Sequence, residues 1–579
     1  MTLVPLVVAV PLLAAAVLAA FGQLAPPRLG NLASIGVALA VTVMCTVLVF
    51  ESSDHTITYW FGGWEPRHGV AIGISFGVEP LSAGLAALVG ALATAALVVS
   101  WDYFDGPVPQ YFYVLTLIFT GAMVGFVLSS DLFNMFVFFE VMSVAAFALT
   151  GYRIEQPSAL QGAINFAVVN SIGAFMILTG IALLYGRTGA LNLAQIGRSL
   201  SGHPPDGLVI VAFTAIVVGF LTKAGAVPFH FWLSDAYAVA PAPVCILFAG
   251  VMSDLGLHAV ARTYWDAFSG TLGGDAEAIR AVFVGVGILT AVLGAVFAFL
   301  QSSLKRMFAF IVISHVGVFL AALGLLTARG LGGTAIYVVA DGLAKGAIFC
   351  GIADVARRVG HTDELLAHGL GRRCPETGVL VALGALTLAA LPPLAFLSSG
   401  GWLPALFAAT SALTGGAVLR AAGRIFLELG PARDALLVHA PPGEEREVAP
   451  APRAGVLLWG PGVGLLAAAL VLGFAPGLAG GAVEHAHEFM GTEGAATTFR
   501  PGAGTYAWAL GAALGALLVA WLGLYRRRLP RVLRAAADRG VRPGLDRLKL
   551  LHDGVVGEYV TWLTVGAALL GGLFAVLIR

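Results

Sequence analysis

The chain has 579 residues, of which 59% are hydrophobic and only 11% are charged, and its mean hydropathy is +0.91. Soluble domains carry roughly 25% charged residues, so this composition excludes a soluble enzyme and a disordered chain. Lys and Arg together number 32, as do Asp and Glu. No global charge excess is therefore available to recruit nucleic acid or an anionic surface.

Neither a cofactor nor a metal is expected. The four cysteines (Cys45, Cys245, Cys350 and Cys374) stand far apart and form no Cys-x-x-Cys motif, which argues against an iron–sulfur cluster or a zinc site. The chain also has no pattern typical of a nucleotide-binding βαβ unit. We therefore expect no redox site of its own.

Apolar segments long enough to cross a membrane recur along the whole chain. Crossing a hydrocarbon core of ~30 Å takes about 20 residues, which predicts an all-α polytopic membrane protein with about 14–16 transmembrane helices. The predicted spans are 4–21, 32–50, 78–100, 112–129, 132–152, 164–185, 208–227, 243–261, 279–300, 308–327, 332–355, 379–397, 402–420, 456–474, 507–525 and 560–578.

Basic residues indicate the orientation. They are more frequent in the loops after odd-numbered spans, for example Arg28 and Arg153. The pair Lys305 and Arg306 also follows an odd-numbered span, and we expect this pair to anchor a helix at the cytoplasmic surface. The positive-inside rule then places the N-terminus outside, in the plasma membrane. The Arg-rich segment 526–558 is either an amphipathic segment at the membrane surface or against a neighbouring subunit, or a solvated loop that only fixes topology.

One acidic residue, Glu140, lies near the middle of the apolar span 132–152. An ionisable side chain at the bilayer centre costs about 2.5–3.5 kcal/mol on insertion scales, so such residues persist where they face water, pair with each other or move ions. Burial favours the neutral carboxyl and a nearby cation favours the carboxylate. Glu140 is thus a candidate proton carrier, and the alternative is a static ion pair that locks two helices.

Lys223, Pro228 and His230 fall within two helical turns. Proline breaks a helix because it lacks the N–H and clashes with the preceding turn, and broken helices at membrane depth are typical of ion sites. A buried lysine can lose its proton, whereas an arginine cannot. We expect a proton-carrying lysine beside a break, and the alternative is a kink that serves only packing.

Two pairs of titratable residues have a spacing of four within apolar spans, which places each pair on one helix face. They are Asp254 with His258 and Asp341 with Lys345, and each is either a structural salt bridge or a step in a proton wire. His315 is either a relay or a satisfied core histidine, because histidine titrates nearest neutrality. A second proline-broken stretch, 391–394, echoes 223–228, as in the inverted repeats of transporters.

These residues resemble a known family, the antiporter-like subunits shared by respiratory complex I, Mrp-type multisubunit Na⁺/H⁺ antiporters and membrane-bound hydrogenases. The resemblance covers about 78–426. The segments that carry it are 130–140 (SDLFNMFVFFE), 223–232 (KAGAVPFHFW), 235–243 (DAYAVAPAP), 304–310 (LKRMFAF), 343–349 (LAKGAIF) and, in the tail, 525–530 (YRRRLP) and 552–560 (HDGVVGEYV).

The resemblance implies two inverted five-helix repeats, each with one Pro-broken helix, and a central polar axis for protons. Glu140 and Lys223 match the family's Glu on the fifth core helix and Lys on the broken seventh helix, and Lys345 matches the lysine on the eleventh. Asp254 stands where many members have a Lys, and Asp341 where many have a His. The second broken segment, 392–402 (PPLAFLSSGGW), lacks the usual Lys or Glu.

The implied organisation has four regions. N-terminal transmembrane helices occupy 1–107, the first antiporter-like repeat 108–263, and an atypical, shortened second repeat 264–430. A polar loop, the C-terminal helices and the basic amphipathic segment fill 431–579.

The predicted function is a proton-translocating membrane subunit of a multisubunit complex, which either exchanges Na⁺ for H⁺ or pumps protons when a redox arm drives it. Its expected partners are other membrane subunits, H⁺, the lipid bilayer and, in the case of exchange, Na⁺. The alternative is a proton-pumping membrane-arm subunit of an NADH:quinone oxidoreductase or membrane-bound hydrogenase. Two rival classes are a quinone-binding redox enzyme, which a stoichiometric flavin, haem or iron would support, and a stand-alone solute permease, which would take up substrate alone.

Overall fold

A computed structural model describes residues 3–24, 26–390, 403–430, 448–451, 455–491, 503–525 and 554–578. In these residues the α-helices, labelled in chain order, are α1 (Leu3–Phe21), α2 (Pro27–Glu51), α3 (Pro80–Tyr103), α4 (Gln110–Leu128), α5 (Leu132–Thr150), α6 (Pro157–Thr188), α7 (Leu193–Leu200), α8 (Gly207–Ala224), α9 (Phe231–Val239), α10 (Ala242–Leu247), α11 (Ser253–Thr263), α12 (Ser269–Leu272), α13 (Ala276–Leu300), α14 (Leu304–Leu323), α15 (Ala328–Val359), α16 (Pro375–Ala390), α17 (Leu403–Leu427), α18 (Val456–Phe474), α19 (Pro476–Phe489), α20 (Ala503–Leu524) and α21 (Val556–Leu577).

Fourteen helices in the described part of the chain are long and apolar enough to cross a membrane by length and composition. The predicted all-α polytopic membrane protein is therefore confirmed. One departure is a β-hairpin in the loop between α2 and α3, where β1 (Ile57–Trp60) pairs antiparallel with β2 (Ser75–Val78). These short strands fall outside the predicted apolar spans, so a search for spans passes over them.

Local signals at the helix starts explain why the helices begin where they do. Asp131 caps α5, since its carboxylate accepts the N–H of Asn134 at 2.8 Å. Asp206 caps α8 in the same way, from Val209 at 3.0 Å. A side-chain acceptor at this position satisfies an N–H that the first helical turn leaves unpaired.

The predicted break near Lys223 is present, and it starts at Gly225 rather than at Pro228. Gly225 has the left-handed backbone conformation, with φ 75°, which glycine adopts without steric cost. The N–H of Ala226 returns to Leu221 O at 3.1 Å and closes the end of α8. Lys223 therefore lies in the last turn of α8, where the carbonyl ends of the helix favour a cation.

A second irregularity lies between α10 and α11, where residues Phe248–Met252 form a π-helical turn. A Cβ on Gly250 would meet the carbonyl oxygen of Gly342 at 3.0 Å, so the turn and α15 cross almost backbone to backbone. Gly256 approaches α8 as closely, because its Cβ would lie 2.6 Å from Phe220 O. These contacts bring α8, α11 and α15 together in the core of the molecule.

Some expectations fall on other parts of the chain. The second Pro-broken segment 392–402 and nearly all of the polar loop 431–453 and of the Arg-rich segment 526–558 lie outside the described residues. The inverted relation between the two repeats stays a prediction.

Candidate functional site

Lys223 is fully buried between α5, α6 and α8. Its ammonium donates to Ser143 Oγ at 3.2 Å and lies 5.2 Å from the Phe139 ring centroid and 5.4 Å from that of Phe166. Glu140, also on α5, is half-buried and near enough to interact electrostatically with Lys223. The two predicted site residues are thus neighbours, with a hydroxyl and two rings around the cation.

A second cluster joins α14, α15 and α17. Asp341 and Lys345 form an ion pair, as their spacing predicts, and both side chains are fully buried. His315 Nδ1 donates to Asp341 Oδ1 at 2.7 Å, and His315 Nε2 lies 3.3 Å from Thr414 Oγ1. The carboxylate of Asp341 is therefore shared by a lysine and a histidine. The other ring nitrogen of this histidine contacts the hydroxyl of Thr414.

Asp254 and His258 do not form the predicted pair with each other within the described residues. Asp254 is 2% exposed and interacts electrostatically with Lys345 and Asp341 on α15. His258 Nε2 instead lies 3.1 Å from Val127 O on α4. A carbonyl oxygen only accepts, so Nε2 carries the proton in this contact.

Two further expectations concern His230 and Lys305. His230 is buried at the start of α9, with its ring centroid 4.3 Å from that of Phe231. Lys305 does not anchor α14 at the surface, because it is buried and donates to Ala240 O at 2.7 Å. Arg153 donates to the adjacent carbonyl of Val239 at 3.1 Å. Both cations satisfy carbonyls at the end of α9, where the helix dipole favours positive charge.

Sequence reasoning missed a buried ion-pair cluster where α3 begins and α11 ends, which we call the outer cluster and define as Glu79, Arg262 and Asp266. Arg262 Nη1 lies 2.6 Å from Glu79 Oε1, and its Nε lies 3.3 Å from Asp266 Oδ2. Burial raises the pKa of Glu79, just outside α3, and the Arg262 guanidinium opposes that rise. These residues flank apolar spans, so they resembled ordinary span ends.

A second missed cluster lies at the opposite end of the molecule. Glu364, in the loop after α15, pairs with Arg424 and lies 3.1 Å from Arg420 Nη2. Burial raises the pKa of Glu364, and the two guanidinium groups on α17 oppose this. Because arginine keeps its proton under working conditions, we assign this cluster to holding α17 against the loop.

The central arrangement is thus a set of buried groups that can each hold or pass a proton. We name Glu140, Lys223, Asp254, Asp341, Lys345 and His315 the central row. It has two parts, Glu140 with Lys223 and the group of Asp254, Asp341, Lys345 and His315, and hydroxyls from α5 and α17 contact Lys223 and His315. Buried ionisable groups at membrane depth are costly and mark ion paths.

Comparisons with known proteins identify the family of this chain. Residues 129–421 match the family described as NADH:quinone oxidoreductase/Mrp antiporter, TM, and this segment contains every site residue that the sequence predicts. The chain is 29% identical to NADH-quinone oxidoreductase subunit N of Desulforudis audaxviator (strain MP104C), over 72% of this chain and 83% of that protein. It is 27% identical to an Na(+)/H(+) antiporter subunit of Alkalihalophilus pseudofirmus (strain ATCC BAA-2126 / JCM 17055 / OF4), over 62% and 70%.

Among solved structures, the fold is similar to a chain in the structure of the Mrp complex from Dietzia sp. DQ12-45-1b. The TM-score is 0.71 with 24% sequence identity, and the match covers 84% of this chain and 97% of that chain. At this identity the likeness shows the fold alone. The family match covers just over half of the sequence, and the chain therefore belongs to the NADH:quinone oxidoreductase/Mrp antiporter transmembrane family.

Proposed function

We propose that this chain is a proton-translocating membrane subunit of a multisubunit complex. The observation that carries the proposal is the central row, which places a half-buried acid, a buried lysine and the buried group of Asp254, Asp341, Lys345 and His315 on packed helices. Within the first step, a proton held by Glu140 passes to Lys223 when that lysine is neutral. Ser143, which accepts from the ammonium, orients the lysine for the exchange.

The assembly supplies the driving force, by exchange of Na⁺ for H⁺ or by a redox arm. Both forms have a relative in the family, since one similar protein is named as an Na(+)/H(+) antiporter subunit and another as an NADH-quinone oxidoreductase subunit. The partners are other membrane subunits of such a complex, H⁺, Na⁺ and the lipid bilayer. The N-terminus lies outside, in the plasma membrane, as the positive-inside rule predicts.

Replacing Glu140 by Gln tests the function, because Gln keeps the shape and cannot carry the proton. In membrane vesicles that contain the whole assembly, we expect Glu140→Gln to slow proton movement about a hundredfold, the low end of the loss when a proton-transfer group is removed. A pH-sensitive dye follows the rate, and immunodetection in the membrane fraction controls for insertion. Transport at the parent rate with normal insertion would overturn the assignment.

A further inference from the structure

A polar branch leads away from the central row toward the end of the molecule where α3 begins. Asp254, His258 and Arg262 follow one another at intervals of four on α11. This spacing places them on one face of the helix. Arg262 joins the branch to Glu79 and Asp266 of the outer cluster.

A cavity of about 50 Å³ lies along this face, between α3, α11, α15 and α19, and its polar lining consists of Asp254, His258, Thr334, Arg262 and Glu79. A buried water needs about 10–15 Å³ of such volume, so the cavity has room for on the order of three waters. Asp254 Oδ1 is buried and has no hydrogen-bond partner among the described residues. A buried carboxylate oxygen calls for a donor, and a water bound in the adjacent cavity would provide one.

Exposure rises along the branch away from the core. Asp254 is 2% exposed and the Glu79 side chain 11%. Glu79 interacts electrostatically with His485 on α19, whose side chain is 20% exposed. His485 Nδ1 lies 3.4 Å from Glu488 Oε2, and the Glu488 side chain is 64% exposed. Titratable groups thus continue from the core to the surface of the molecule.

The sequence of the predicted second broken segment offers no comparable group. Residues 392–402 contain no Lys, Glu, Asp or His, so the second broken segment has no side chain that carries a proton near neutral pH. Asp254, in contrast, interacts electrostatically with Lys345, which has the opposite charge. An acid beside an ammonium is placed to accept a proton from it.

We propose that protons exchange between the central row and the outer solution through this branch, a proposal that rests on the proposed function. The Lys345 ammonium gives its proton, through intervening water, to the Asp254 carboxylate, which leaves a neutral amine and a neutral acid. Asp254 then passes the proton to cavity water, and the water passes it to Glu79. Arg262 keeps Asp266 as its partner while Glu79 is neutral.

Cysteine labelling tests the path independently of transport. Val338 lines the cavity, and Val355, on the same helix α15, lines a small cavity with apolar walls near the other end. Both are buried, at 5% and 1% exposed, and the four native cysteines are buried as well. We expect a membrane-impermeant thiol reagent on the outer side of vesicles holding the assembly to label Val338→Cys at least about tenfold faster than Val355→Cys, because exposure controls thiol reactivity. Equal labelling, or labelling of Val338→Cys from the inner side only, would overturn the path.

Transport measurements on the same vesicles complete the test. We expect Asp254→Asn to slow proton movement about a hundredfold, as for other lost proton carriers, and Asp254→Glu to restore most of the rate. Parent-like transport by Asp254→Asn would overturn the branch even if Val338→Cys is labelled. If Glu140→Gln transports normally while Val338→Cys is labelled from outside, the proposed function fails and the water path stands. If Asp254→Asn does not insert, the labelling result decides.

Discussion

Lys223 is surrounded by one hydroxyl and two aromatic rings, with its acidic neighbour Glu140 at a greater distance. The rings of Phe139 and Phe166 attract the ammonium through their quadrupoles, and Phe166 is itself stacked on Trp232 with centroids 4.2 Å apart. These contacts favour a cation without fixing its proton as a direct ion pair would. We therefore propose that the pocket holds a group whose charge changes.

Lys223→Arg separates a proton carrier from a fixed counter-ion. Arginine keeps the positive charge and does not release its proton under working conditions, so we expect a loss of proton movement of about a hundredfold, as for other lost proton carriers. Dye-monitored transport in vesicles checks this, with Lys223→Gln as the comparison that removes the charge. If Lys223→Arg matches the parent while Lys223→Gln fails, Lys223 is a counter-ion.

Asp341 and Lys345 should behave as one unit, since their ion pair is fully buried. Removing one partner leaves the other charge buried and unpaired, which costs about 3–5 kcal/mol. We expect Asp341→Asn and Lys345→Gln each to impair transport, and the double variant to be no worse than Lys345→Gln alone, because contacting residues are non-additive. Strict additivity of the two losses in transport rate would show that the pair does not act together.

The sequence predicts a buried pair well when both members lie on one helix. It predicts a pair less well when one partner lies on a different helix. Asp341 and Lys345 pair because they lie one helical turn apart on the same face of α15. Asp254 and His258 have the same spacing, but α15 and α4 supply nearer partners. Ser143 and Thr414 were missed because a hydroxyl in an apolar helix carries no signal of its own; most such hydroxyls bond the preceding turn.

At the scale of elements, α21 packs against the break between α8 and α9 and supports it. Tyr559 on α21 donates to Asp235 Oδ2 on α9 at 2.9 Å, and its ring stacks on that of Phe231 with centroids 5.4 Å apart. Gly566 on α21 rests against Pro228 so closely that any Cβ would collide with the proline ring. The segment between α8 and α9 is therefore supported from outside by a helix more than 300 residues away in sequence.

Gly566→Ala should weaken the packing of α21 against Pro228. The added methyl must displace either α21 or Pro228, and forced overpacking costs about 1–3 kcal/mol, so we expect a lower thermal midpoint and slower proton movement. Gly572→Ala on the same helix is the control, because a Cβ there meets nothing within 4 Å. Equal midpoints and rates for the two variants would show that α21 does not support the break.

Helix positions were largely predictable from hydropathy, while their irregularities were only partly so. A proline announces a break, but Gly225 ends α8 three residues earlier because a left-handed residue can close the last turn. The π-helical turn before α11 has no comparable marker. It depends on the close crossing of Gly250 with Gly342, which is a property of the packed molecule. The spacing of four on α11 places its ionisable residues on one helix face. The spacing alone does not identify the residues on other helices that they contact.

At the scale of the whole molecule, Glu140 lies on a stripe of α5 that the described residues leave uncovered. Phe133, Val137 and Val144 share this face at intervals of three or four, and they are 44%, 41% and 59% exposed. A half-buried acid facing lipid would carry much of the insertion cost of about 2.5–3.5 kcal/mol. We therefore expect another membrane subunit to cover this stripe and complete the site.

Photo-crosslinking within the intact assembly tests whether another subunit covers this stripe of α5. A benzoylphenylalanine side chain in place of Val137 should form an adduct with a partner subunit, because carbon–hydrogen bonds of the covering helix lie within its reach. Leu289 on α13 is comparably exposed, at 50%, and the same side chain there reports the yield at an apolar position outside the α5 stripe. A partner adduct at 137 that disappears when the chain is purified alone, together with loss of proton movement by the isolated chain, is the expected result. Only lipid adducts at 137 in the assembly would mean that Glu140 faces the bilayer, and the pathway would then have to begin at Lys223.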